Sequence, residues 1–91
     1  MKRKVRAMIY GLVQGVGLRY QVQKKASELG LVGFVKNLPD GSVEMVAEGE
    51  EELINDLIEY IKTGIRWARV ENVELEWSEW EGKYRRFEIV F

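Results

Sequence analysis

The sequence predicts an α+β sandwich, with two helices on one face of a mainly antiparallel sheet. Three observations carry this expectation. Two segments place apolar residues at helical spacing and each ends at a glycine, Gly30 and Gly64. Apolar residues alternate in the segments around them. A Pro-Asp-Gly turn joins two of those segments into a hairpin.

Val5 to Val13 is rich in apolar residues and reads as a strand, which Gly11, Gly15 and Gly17 interrupt. A helix follows from about Leu18 to Leu29, with Leu18, Val22, Ala26 and Leu29 on one face. Val32 to Leu38 is a second strand. In Pro39-Asp40-Gly41, proline presets φ and glycine accepts the turn. Ser42 to Glu48 is the third strand, with Val43, Met45 and Ala47 on one face. Glu50, Glu51 and Glu52 open the second helix, where acidic side chains favour the positive end of the helix dipole. Leu53, Ile54, Leu57, Ile58 and Ile61 give it a broad apolar stripe. Ala68 to Trp77 is a fourth strand, with Val73, Leu75 and Trp77 alternating against glutamates. Tyr84 to Phe91 is a short last strand with Phe87, Ile89 and Phe91 in register. The order βαββαβ plus a short C-terminal strand is the ferredoxin-like α/β sandwich. Trp77, Trp80 and Tyr84 are candidates for the sheet face away from the helices, and Trp67 is expected to fill space in the loop before the fourth strand.

The 91 residues make one domain, residues 1–91. A chain of 10.6 kDa folds to roughly 5,500 Å² of surface and hides about 64% of what the unfolded chain exposes. That supports a core without staples. There is no histidine and no cysteine. Disulfides, thiolate nucleophiles, sulfur- or histidine-ligated metals and Ser-His-Asp or Cys-His catalysis are all excluded. No apolar run approaches the roughly 18 residues of a membrane span. Met1-Lys2-Arg3-Lys4 leads into a mixed segment rather than a signal sequence, so a cytoplasmic protein with no membrane partner is expected.

The net charge of −1 is unevenly spread. Residues 1–45 hold eight basic and three acidic side chains, and residues 46–91 hold six basic and twelve acidic. The first half therefore has room for an anion site, unless the two halves interleave in space. The overall balance argues against nucleic acid as a partner.

The segment GLVQGVGLR, residues 11–19, joins a strand to a helix and ends in an arginine at the first helical turn. Its glycines let successive N–H groups converge on one point, a nest that binds anions. The helix N-terminus behind it adds unpaired donors and partial positive charge. Arg19 adds a planar fork matched to phosphate oxygens. Position 20 is Tyr20, so G-x-G-x-x-G does not fit, and no G-K-[ST] follows. An ordinary glycine-rich connection with a surface arginine is the plain alternative. Asn37, at the end of the second strand, commonly serves only to cap a turn. Its amide can also donate and accept at once, which suits holding a water.

GLVQGVGLR followed by a helix, and KNLPDGSVE some twenty residues later, resembles the acylphosphatase family. The resemblance runs from Val5 to Phe91 and includes Ala47-Glu48-Gly49 and Phe87. It implies hydrolysis of the carboxyl–phosphate anhydride of small acyl phosphates, with no metal, no cofactor and no covalent intermediate. It also implies a phosphate-binding loop of Gln14, Gly15, Val16, Gly17, Leu18 and Arg19. By the same resemblance Arg19 holds the phosphoryl group and Asn37 positions the attacking water. Two positions depart from the family. Leu18 stands where phenylalanine is common, and Ile65-Arg66 replaces a usual Pro-Pro.

A stand-alone monomer acting on acyl phosphates, with phosphate and other small anions as further ligands, is the reading these residues favour. A module of hydrogenase maturation carries the same motifs within larger chains, and the short chain points away from it. A binding module is the alternative of a different class, because the architecture alone decides no function. Val32-Gly33-Phe34-Val35 resembles part of an RNA-recognition strand, but the aromatic pattern is incomplete. The carboxylate of Phe91 is a further candidate to orient Arg19.

Overall fold

In the computed structural model, which describes residues 1–91, the chain forms β1 (Lys2–Leu12), α1 (Leu18–Glu28), β2 (Val32–Asn37), β3 (Val43–Glu50), α2 (Glu51–Thr63), β4 (Arg69–Glu79) and β5 (Phe87–Val90). The five strands form one sheet in the order β4-β1-β3-β2-β5. All pairs are antiparallel except β2 with β5. This is the expected ferredoxin-like sandwich.

Alternation decides which face each strand buries. Val5, Ala7 and Ile9 of β1 and Val43, Met45 and Ala47 of β3 have no exposed surface. They meet Leu18, Val22 and Ala26 of α1 and Ile54, Leu57, Ile58 and Ile61 of α2 in one buried core of 18 residues. The accessible surface is 5655 Å², close to the roughly 5,500 Å² that size scaling gives.

Trp77 pairs with Val5 across β1 and β4. Directly opposed residues share a face, so Trp77 packs on the helix side and not on the far face. The Arg3 guanidinium lies 5.2 Å from its ring centre. Trp80 and Tyr84 do lie on the far side: Lys2 sits 5.0 Å from the Trp80 ring and Phe34 is 6.0 Å from Tyr84.

The last strand is shorter than its alternation predicts, because the chain first has to cross the sheet. Residues 80–86 run over the far face from the β4 edge to the β5 edge. The crossing is held by Lys4 donating to Glu81 at 2.6 Å and by the Gly82 N–H donating to Glu48 at 2.9 Å. Glu48 is fully buried beneath this strap, and its second oxygen has no partner.

The charge asymmetry along the sequence dissolves in space. The N-terminal ammonium, Arg3, Lys4 and Arg6 pair with Glu50, Glu51, Glu81 and Glu44, three of which come from the acidic half. Trp67 is 75% exposed, so it does not fill space as expected. The neighbouring Ile65 is the residue that enters the core, and Arg66 rests against the indole at 5.9 Å.

Candidate active site

The glycine loop is positioned by its two ends. Val13, 1% exposed, plugs into the core below the loop, and Leu18, also 1% exposed, anchors the start of α1. Between them Gly15 has φ 74° and Gly17 φ 78°. Both values lie in the left-handed region, which residues with a Cβ enter at a cost. Gly17 is the N-cap of α1, with no side-chain capping bond. Its carbonyl accepts the first helical bond, from the Gln21 N–H at 3.1 Å. The N–H groups of Gly15, Val16 and Gly17 donate to no other main-chain atom. The first N–H groups of α1 also have no partner within the helix. A row of free donors thus sits at the positive end of a helix, where an anion is favoured.

Asn37 enters the same space from the sheet. It ends β2 and is opposite Val43. It is two residues after the fully buried Val35 and therefore shares the helix-facing side. Its side-chain oxygen is buried and has no hydrogen-bond partner. Such an atom costs about 1–3 kcal/mol unless something bonds to it.

These parts line one cleft of about 220 Å³, together with Val13, Gly15, Gly17, Leu18, Arg19, Tyr20, Ile89 and Phe91. Arg19 and Asn37 are thus brought to one cavity, as expected. Five of its nine lining residues are hydrophobic. The C-terminal residue is placed differently from either expectation. Phe91 does not continue the buried row of Phe87 and is 98% exposed. Its ring, and not its carboxylate, meets the Arg19 guanidinium, at 4.9 Å.

The Gln14 side chain reaches the turn between β2 and β3. Its amide nitrogen donates to the carbonyl oxygens of Leu38 and Ser42, at 2.8 Å each. Both of its hydrogens are committed to the β2–β3 turn, so the side chain does not point donors into the cleft. In that turn Asp40 accepts from the Ser42 N–H at 2.9 Å and from the Ser42 hydroxyl at 2.5 Å. These two bonds hold the Asp40 carboxyl below its ordinary value.

No group of three or more histidine, cysteine, aspartate or glutamate side chains is placed to hold a metal ion, and no helix is long and apolar enough to cross a membrane.

The sheet order and the loop between β1 and α1 define the class: a ferredoxin-like α+β domain with a glycine-built loop of unpaired main-chain N–H groups at a helix N-terminus. The acylphosphatase family model matches residues 5–89. The chain is 60% identical over 89 residues to an acylphosphatase of Caldanaerobacter subterraneus subsp. tengcongensis, covering 98% of this chain and 99% of that one. It is 54% identical over 76 residues to an acylphosphatase of Thermus thermophilus, covering 84% and 86%. The crystal structure of acylphosphatase from Bacillus subtilis superposes over 100% of both chains with a TM-score of 0.93 at 38% identity. The chain belongs to the acylphosphatase family.

Proposed function

We propose that the protein hydrolyses acyl phosphates to a carboxylate and inorganic phosphate. The observation that carries this reading is the meeting of Arg19, the free N–H groups of the glycine loop and the orphaned Asn37 oxygen at one cleft. The phosphoryl group rests in the cradle of N–H groups from Gly15 to Arg19, with the Arg19 fork on its oxygens. Asn37 accepts a hydrogen bond from the attacking water, which satisfies the buried oxygen that otherwise has no partner.

The chemistry asks little of the protein in proton transfer. The water oxygen forms a bond to phosphorus as the bond from phosphorus to the acyl oxygen breaks. The carboxylate leaves with the electron pair, and the proton of the water passes to a phosphoryl oxygen. A carboxylate is a stable leaving group at neutral pH, since carboxyl groups ionise near pH 4. Positioning and electrostatic stabilisation then supply most of the rate. That suits a site built of arginine, amide and backbone donors. The apolar side of the cleft, formed by Val13, Ile89 and Phe91, is left for the acyl group.

The reading includes action as a single domain, as a monomer in the cytoplasm, without metal. One core joining both helices to the sheet supports the single domain.

The test is release of phosphate from benzoyl phosphate with a chelator present. Turnover that persists in the chelator and is inhibited competitively by phosphate is the expected result. No turnover, with phosphate still bound, favours the binding-module reading.

A further inference from the structure

The two halves of the proposed site come from different parts of the fold. The cradle begins at Gly15, after β1, and Asn37 ends β2. One side chain spans them. Gln14 directly precedes Gly15, and its amide reaches Leu38, which directly follows Asn37.

The acceptors it uses are the two carbonyls that define the turn. The Leu38 carbonyl already accepts from the Gly41 N–H at 3.1 Å, and the Ser42 carbonyl from the Leu38 N–H at 2.9 Å. Each carbonyl oxygen has two lone pairs. The Gln14 amide fills the second on both, at 2.8 Å. The turn is therefore closed from within by its own main chain and fixed from outside by the loop. A primary amide has two hydrogens in a fixed plane, so satisfying both acceptors sets the position of the turn as well as its distance. No other hydrogen bond links residues 13–17 to residues 37–42.

We infer that Gln14 is a positioning residue that registers Asn37 against the phosphate cradle, so that the water held by Asn37 lies in line with the bound phosphoryl group. The inference rests on the roles proposed above for the cradle and for Asn37. In-line attack is sensitive to such placement, and an error of about 1 Å costs on the order of 10² in rate. Gln14 touches neither phosphate nor water. Its loss therefore leaves binding of the phosphoryl group intact and slows the chemical step.

The experiment measures kcat on benzoyl phosphate and the inhibition constant for inorganic phosphate in the parent, Gln14→Met, Asn37→Ala and the double variant. Methionine keeps the length of the side chain and removes both donors. Gln14→Met is expected to lower kcat by about tenfold or more while the phosphate constant changes less than about twofold. In the Asn37→Ala background the same substitution is expected to cost less than about twofold, because nothing remains to be positioned. Gln14→Glu, which turns an oxygen towards both carbonyls, is expected to lower kcat further than Gln14→Met. A weakened phosphate constant with kcat unchanged overturns the inference and places Gln14 in the cradle. An equal loss in both backgrounds also overturns it, because that is what a purely structural role gives. If Gln14→Met unfolds, the Gln14→Glu pair of backgrounds decides by the same comparison. Full activity of Asn37→Ala alone removes the underlying assignment of Asn37 and the coupling with it, so that arm separates the two failures.

Discussion

The Arg19 guanidinium lies 4.9 Å from the centre of the Phe91 ring. The guanidinium thus meets the aromatic face of residue 91, and both residues line the cleft. A contact of this kind at an exposed position is worth about 0.5–1 kcal/mol. It leaves the guanidinium N–H donors free for the phosphoryl group in the role proposed for Arg19.

Phe91→Ala is therefore expected to raise KM for benzoyl phosphate by about two- to fivefold and to raise KM for acetyl phosphate less, because only the aromatic acyl group gains from the ring. Steady-state kinetics on the two substrates check this. Equal changes on both would assign the ring to Arg19 alone.

Gly17→Ala places a side chain at φ 78° in open space, where a Cβ meets nothing within 4 Å. The cost is backbone strain alone, about 1–2 kcal/mol. For a domain of this size that lowers Tm by about 4–16 °C. If the loop relaxes to relieve the strain, its N–H groups turn away and phosphate affinity falls too. Thermal melts with and without phosphate measure both effects: phosphate is expected to stabilise the parent and to stabilise the variant less.

The Asp40 carboxyl is held below its ordinary value of 3.8 by the Ser42 hydroxyl and then by the Ser42 N–H. A depressed acidic group contributes stability that is present above its unfolded value and lost as pH falls through the folded one. The charge-dependent part of the stability lost in Asp40→Ala is therefore expected to be constant at neutral pH, to decline as pH falls below about 3.8 and to vanish only below the still lower folded value. Denaturant melts of both proteins across that range check it. A difference that grew in acid would have the wrong sign.

Glu48→Ala removes the buried acceptor of the Gly82 N–H and leaves that donor without a partner beneath the strap. The expected cost is about 2 kcal/mol or more. Hydrogen exchange at Gly82 is expected to accelerate more than exchange in the core strands, because the strap is the part released.

The elements most legible in the sequence were those fixed by periodicity. The stripes of α1 and α2 and the Val43-Met45-Ala47 row bury the residues that their spacing marks, except Leu29 and Leu53, which are half-buried against the core. The Pro39-Asp40-Gly41 turn is legible because proline presets its own φ and glycine accepts a positive one, 94° at Gly41. Placement across the sheet was not. Trp77 alternates equally well on either face, and only its pairing with Val5 assigns one. The strap of residues 80–86 carries no local signal, since its anchors, Lys4 and Glu48, are distant in sequence. For the candidate site, Arg19 and Asn37 stood out as residue types on distinctive strings. The role of Gln14 was hidden for the same reason as the strap: its partners lie 24 and 28 residues away. An amide among glycines is equally suited to an anion or to a carbonyl.

Arg19 and Asn37 are proposed to share one reaction, the first by holding phosphate and the second by holding water. The most direct measurement is benzoyl phosphate turnover, with phosphate inhibition, in Arg19→Ala and Asn37→Ala. Each is expected to lose about 10²–10³ in kcat, the loss typical of one preorganised donor or orienting group. Arg19→Ala is expected to lose phosphate inhibition as well, whereas Asn37→Ala retains it within about twofold. Turnover like the parent's in either variant would show that the side chain removed does not carry the reaction.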